Sequence, residues 1–511
     1  MIAHVTRGKA LPTEIADQII ERTDGVPLFI EELTKSVVES GSMTDAGDHY
    51  SIAGPVVPLA IPTTLQASLL ARLDRLAPTR EVAQIAATLG RQFSHELLSA
   101  VADMPPARLE GALEQLIRAE LVFRRGTPPD ATYTFKHALV QDAAYSTLLR
   151  TRRQQLHGRI AGTLERQFPE IAAAQPELIA QHCASAGMAE KAIEYWDQAG
   201  RSAVHRSTMA EAAAHFRTAL KLLGSLPKSP EQRSRERSLQ LALAGALTVA
   251  KGWASPEAGE GYARARELCR DAPDGTQVAI AWAGALSYLL NRAEIRASQE
   301  LANELLQLSE GRNDSETKLI AHRNMGVSLM FRAEFSRALP HLQRSLDFYD
   351  QARHRPPKLT PHDVRVTCES FVAWTLLLLG QPDQALAQSR SAPAWARELS
   401  QPYTLAFALH VNCVFHQLRG QGAILQERAD ELVAIAAEHC FPVFVGTGAC
   451  FRAWAMLELG GSIEETISRM RWGLATKRAT GAEIKGALLS GSFGGSTQAS
   501  EPNCRRDNPV K

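Results

Sequence analysis

Ile193-Glu-Tyr-Trp-Asp-Gln-Ala-Gly-Arg-Ser-Ala203 and, one turn later, Ala212-Ala-Ala-His-Phe-Arg-Thr-Ala219 decide how most of this chain folds. Apolar and small residues recur here at helical spacing, and Pro227 stops the second run. Two helices joined by a turn must cross closely, and closeness needs small residues on one side and large ones on the other. Gly200 and Ala203 are small on the first helix and Ala212 on the second, with Ala219 one turn further on. Trp196 and Phe216 are the large residues that fill the space between them.

The same phase returns downstream. Gly326, Leu329, Ala338 and Leu342 fall at the offsets of Gly200, Ala203, Ala212 and Phe216, with Ser345 where Ala219 stood. Ala285, Tyr288, Ala297 and Leu301 repeat it more loosely. Parts recur at Leu376 with Ala385 and at Ala429 with Val433 and Ala436. Turn chemistry separates the helices each time: Arg292-Ala-Glu294, Arg332-Ala-Glu334, Gly380-Gln-Pro-Asp383, Arg419-Gly-Gln-Gly422 and Gly460-Gly-Ser462. This is the tetratricopeptide pattern, a helical hairpin of roughly 34 residues, here lengthened and irregular. About seven helix pairs fit between residues 188 and 489 at that repeat length. Each pair buries its apolar face on its neighbours, so the expectation is an open superhelix that does not close on itself, with an inner groove for a protein or peptide.

Upstream the rhythm differs. Thr13–Gly41 reads as two helices broken at Gly25-Val26-Pro27, the second starting with Glu31 and Glu32, which suit the helix dipole. Gly41–Pro58 reads as a loop. Pro62–Leu76 is a helix with Leu65, Leu69, Leu70 and Leu73 inward and Arg72, Asp74 and Arg75 outward. Thr79–Leu89, capped by Thr79, follows; Gly90–Phe93 turns the chain; Ser94–Ala102 and Pro105–Ala119 are further helices. Then Leu121–Arg125, the turn Gly126–Asp130 and Thr132–Phe135 read as a β-hairpin. Short helices followed by a hairpin give a winged-helix-like module. The stretch Tyr133–Tyr145 passes from strand into an amphipathic helix and hands over to the helical scaffold. The fold class is therefore mainly α: a helical segment (1–58), the winged-helix-like module with its hairpin (59–150), connecting helices (151–187), the repeat solenoid (188–489) and a Gly/Ser-rich disordered tail (490–511).

The 511 residues carry a net charge of +1, with 45% hydrophobic and 22% charged residues. Nothing pushes the chain toward nucleic acid or acidic membrane. Helix Pro105–Ala119 mixes Arg108 and Arg118 with Glu110 and Glu114, and Arg124 and Arg125 are a small basic point, so a packing role is expected over DNA binding. No apolar run approaches the about 20 residues a membrane helix needs. Seven scattered cysteines without a CxxC pair read as reduced thiols, so the expected compartment is the cytoplasm. There is no P-loop, no H-E-x-x-H and no G-x-S-x-G. His182 and Cys183 stand together but do not make a metal site. No catalytic constellation and no metal ligand set is found.

Taken in order, Thr23-Asp-Gly-Val-Pro-Leu-Phe-Ile-Glu-Glu-Leu-Thr-Lys35, Ile61-Pro-Thr-Thr-Leu-Gln66, Leu70-Ala-Arg-Leu-Asp-Arg-Leu76, Glu120-Leu-Val-Phe-Arg-Arg125 and Tyr133–Tyr145 resemble the large bacterial adenylate/guanylate cyclase–ATPase–tetratricopeptide proteins, from about Ala10 to Leu489. In that family a nucleotide cyclase domain precedes a STAND-type P-loop ATPase, and the repeats follow. The resemblance implies that this chain corresponds to the C-terminal part, starting in the helical lid of the ATPase and stopping in mid-helix near Leu489. It implies partners in the upstream ATPase and cyclase domains, no catalysis by this chain alone, and ATP only where a P-loop core is supplied. It further implies that Gly25 and Pro27 lie near the adenine and that His137 is the counterpart of a phosphate-sensing histidine. On the residues alone His137 is as well read as a helix-start histidine bonded to the hairpin. Two other roles fit the family: a DNA-associated STAND regulator, and the regulatory half of a cyclase whose catalytic part is on another chain.

Overall fold

A computed structural model describes residues 1–39, 43–52, 64–76, 79–269, 275–311, 314–351 and 361–483. The expected helix from Ala482 to Leu489, the tail and Cys504 lie largely or wholly outside them. The chain divides into two compact units, Met1–Ala192 and Ile193–Lys511.

In the first unit, helices Thr13–Thr23 and Pro27–Val38 pack through Ile15, Ile19, Phe29, Leu33 and Val37. Asp24 and Gly25 adopt positive φ between them and Pro27 opens the second helix, where its missing N–H costs nothing. The 41–58 stretch, expected as loop, contains two short antiparallel strands, Met43–Asp45 and Tyr50–Ile52. Helices Leu65–Arg75, Arg80–Leu89, His95–Ala102 and Pro106–Arg118 lead to the hairpin Val122–Arg125 and Thr132–Phe135. A third strand, Gln92–Ser94, pairs with Thr132–Phe135 where a bare turn was expected, completing the three-stranded sheet of a winged helix. Phe93 stacks on Tyr133 at 5.6 Å between ring centres, which holds that extra strand in register. Ser94 caps its helix, accepting from the Leu97 N–H at 3.1 Å. Thr79 does not cap: its hydroxyl donates to Gln115 instead.

The polar face expected on helix Leu65–Arg75 is also different. Arg72 is 2% exposed and ion-paired with Glu32, itself 1% exposed. Arg72 also reaches Glu39 at 3.1 Å and donates to the Ala119 carbonyl at 2.7 Å. Glu32 is therefore an internal counter-ion, and not a solvated helix-start charge.

The second unit is a tetratricopeptide-like solenoid of seven successive helix pairs among the described residues, beginning with Ala189–His205 and Met209–Leu223 and ending with Pro442–Glu458 and Ile463–Arg478. Most of the turns inside these pairs are built alike. After the first helix one residue takes positive φ: Ser207, Ala293, Ala333, Gly380, Gly420 and Gly460 in the respective pairs. The next N–H then bonds back to a carbonyl five residues earlier, as from Glu334 to Leu329 at 3.0 Å and from Gln421 to His416 at 3.1 Å. This Schellman closure satisfies helix-end carbonyls and aims the second helix back along the first.

Candidate functional site

The hairpin contacts that build the solenoid come first. Gly200 lies against the Phe216 ring so closely that no Cβ fits there, and a Cβ on Gly326 would stand 2.6 Å from Leu342. Ala203, Ala212, Ala219, Ala338, Leu342 and Ala385 are all fully buried. Trp196 stacks on His215 at 5.2 Å. These residues set the spacing of the helices, and through it the shape of the interior.

That interior is not the open groove expected from a solenoid. The turn after helix Pro230–Lys251 runs across it to the last pairs. Trp253 sits edge-on to Phe444 at 5.2 Å and to Phe407 at 6.1 Å, and lies 6.0 Å from His410. Gly252 passes so near Val443 and Thr480 that a Cβ would be 2.6 Å and 3.0 Å from them. The Glu483 N–H bonds the Asn291 carbonyl at 2.8 Å. The array thus closes on itself, second pair to seventh. The physical reason is aromatic: burying a tryptophan and its partners is worth more than leaving them on a wet concave face.

Beside this closure lies a half-open cavity of about 580 Å³, lined from the first four pairs by Met209, Phe216, Leu241, Gly245, Trp253, Tyr262, Ile280, Gly284 and Arg323, with Arg201, His205, Pro361 and His362 also on its wall. A smaller space of about 70 Å³ adjoins Arg323 from the other side, between Asn324, Phe331, Phe371 and Phe407. Arg323, on helix Ser315–Phe331, is 5% exposed. Its one side-chain bond among the described residues is to Asn324 Oδ1 at 2.9 Å, and it makes no ion pair there. Burial pushes its guanidinium down to about 10. The acidic groups that feel its charge are themselves neutral near pH 7. Burial raises the Tyr262 phenol, and burial pushes the Cys368 thiol up to about 12. Burial, reinforced by Arg323, takes the His362 imidazole down to about 3, so it stays uncharged. The cavity is an apolar chamber with one uncompensated positive charge.

In the first unit, Gly25 sits in the turn before Pro27 with open space where a Cβ would be. His137 occupies the position before helix Ala138–Ser146 without capping it, and its buried Nε2 has no hydrogen-bond partner among the described residues, so it is not bonded to the hairpin. Lys136 beside it pairs with Glu31 at 2.5 Å, and Lys35 pairs with Glu31 and Glu120. The segment carrying His137 is thus tied to the helix that begins at Pro27. Burial would raise the Glu31 carboxyl, but the lysine hydrogen bonds outweigh it and hold it at about 2. On the winged helix, Arg124 is engaged by Glu114 at 2.6 Å. His182 and Cys183 are both buried; His182 pairs with His157 at 2.8 Å, not with a metal ligand set. Among the described residues no cluster of three metal-ligating side chains exists, no helix is long and apolar enough to cross a membrane, and no disulfide joins the six cysteines.

Sequence reasoning missed Arg323, Tyr262 and Trp253. The one available signal was a basic residue inside a mostly apolar helical run, Leu319–Met330.

No family model matches the chain. It is 25% identical over 479 residues to an uncharacterized protein of Rhizobium meliloti (strain 1021), and spans 93% of itself but 46% of that relative's length. Among solved structures it is similar to the Rap conjugation gene regulator of plasmid pLS20 in complex with the Phr* peptide (12% identity, TM-score 0.46, 82% of this chain and 97% of that one). It is similar to a Rap protein complexed with competence and sporulation factor (14%, 0.45, 64% and 88%). It also resembles a STAND protein with a tetratricopeptide repeat sensor from Pyrococcus horikoshii (12%, 0.35, 96% and 72%).

Proposed function

We propose that this chain is the sensing and regulatory part of a larger signalling protein, in which the repeats take up a peptide or protein segment and the lid and winged-helix unit passes the event to a nucleotide-handling module. The half-open, aromatic-lined chamber within the repeats is the observation that carries this reading: a cavity of about 580 Å³ falls within the about 300–1,000 Å³ of pre-formed ligand sites. The ordered motifs from Thr23 to Tyr145 support a STAND ATPase joined to a nucleotide cyclase as that module, and the matched relative, about twice the length of the aligned stretch, has room for one. Gly25, Pro27 and His137 would then face nucleotide held by the P-loop core. Their link through Lys136 and Glu31 gives a physical route from nucleotide state to lid position. On this reading the chain alone is expected neither to hydrolyse ATP nor to make cyclic nucleotide.

The test is a displayed peptide panel selected in parallel on the chain and on Gly245→Trp. Gly245 lines the chamber with nothing within 4 Å of a Cβ, so the indole fills space without an immediate clash. Peptides recovered by the parent and lost with Gly245→Trp support the reading. The same peptides recovered by both would place binding elsewhere.

A further inference from the structure

We propose that the chamber selects a ligand with one carboxylate on an apolar body, the carboxylate seated against Arg323. The inference rests on the chamber being the binding site and adds the chemistry of what enters it. Arg323 is nine-tenths buried, lines the large cavity and its small neighbour, and meets no carboxylate among the described residues. A guanidinium withdrawn from water without a counter-charge destabilises the free protein. A ligand anion supplies what the fold omits, and the planar fork of Arg matches a carboxylate in two parallel bonds.

The rest of the lining narrows the class. Trp253, Tyr262, Phe216, Leu241 and Ile280 present rings and hydrocarbon, which would suit an apolar body of small-molecule or short-peptide size. A phosphate brings up to two charges and calls for several cations or a cradle of N–H groups. The second arginine on the wall, Arg201, is already held by Asp197 at 2.9 Å and 3.1 Å. One unmatched charge fits one carboxylate. Two sources share that chemistry, the C-terminus of an apolar peptide and a free organic acid.

The experiment titrates the full chain by calorimetry with four probes: octanoate, octanol, an acetylated leucine-rich tetrapeptide with a free C-terminus, and its C-terminal amide. At least one acid is expected to bind, with its neutral counterpart weaker by on the order of 100-fold, the scale of leaving a buried charge unpaired. Arg323→Met is expected to erase that preference while raising the thermal midpoint of the unliganded chain, and Arg323→Lys to keep part of the preference. Binding of octanoate alone identifies an organic acid, and binding of the peptide acid alone identifies a C-terminus; either upholds the inference. Equal binding of acid and neutral probes, a preference that survives Arg323→Met, or no binding of either acid overturns it. If acid and neutral bind equally and Gly245→Trp blocks both, the chamber stands as the site and only the charge selection falls.

Discussion

The two units solve the same packing problem with different materials. The first unit is pinned by charge: Arg72 against Glu32 in its interior and against the more exposed Glu39, and Lys35, Glu31, Lys136 and Glu120 nearer its surface. The repeat unit is pinned by shape, small residues against large ones at a fixed phase, and among the described residues keeps the buried Arg323 without an ion pair. Paired charge fixes one geometry and breaks sharply. Shape repeated along a chain leaves an interior that can be kept for a ligand.

The sharpest way to break this contrast is Glu32→Ala. Arg72 loses its buried partner but keeps Glu39 within reach, so the expected cost lies toward the low end of the about 3–5 kcal/mol of a broken buried pair, read as lost amide protection in helix Pro27–Val38 under urea while the repeat helices keep theirs. The double change Glu32→Met with Arg72→Met is expected to recover most of that, because an apolar pair avoids the desolvation cost. The matching break in the repeats is Gly200→Val. A branched side chain against the Phe216 ring is expected to cost about 1–3 kcal/mol, and Phe216→Leu in the same chain to return part of it by giving room.

Acid should separate the units further. Glu31 is held at about 2 against a usual value of 4.5. Its contribution is present above pH 4.5 and is lost as pH falls from there toward 2; Glu31→Gln is expected to flatten that limb, and salt to shrink it, because the group is partly exposed. In the repeats, burial and then neighbouring His341 bring His322 down to about 4 from 6.5. The unfolded chain takes up that proton first, so stability falls between pH 6.5 and 4, and His322→Gln is expected to remove that slope in pH-dependent unfolding. The smallest effect is at the turns. Ala333 holds φ 62° where Gly420 holds 64°, so Ala333→Gly is expected to gain up to about 1 kcal/mol and Gly420→Ala to lose a similar amount.

The helical hairpins were legible because their determinants are local. Gly200 and Phe216 lie in one pair, and the turn after each helix has its own sequence signature. The hairpin at 121–135 was legible for the same reason. The strand Gln92–Ser94 was not, because three residues after a glycine become a strand only when Thr132–Phe135 arrives from far along the chain. Arg72 was read as solvated because periodicity gives polar residues to the outer face, and its partner Glu32 comes from another helix. Closure of the array was illegible too. Trp253 follows a glycine in a turn, and only its meeting with Phe444, long after it in sequence, turns it from an exposed ring into the strut of the chamber. Arg323 and Tyr262 line one cavity only because helices far apart in the sequence pack together.

The central claim, that the repeats take their ligand inside and not on the outer helices, is tested most directly by amide hydrogen exchange of the full chain with and without a peptide recovered from the selection. Slowed exchange is expected in helices Pro230–Lys251, Gly275–Asn291 and Ser315–Phe331 around the chamber. Protection confined to the second helices of the pairs, such as Ile295–Glu310 and Phe335–Asp347, with the chamber helices unchanged, would contradict it.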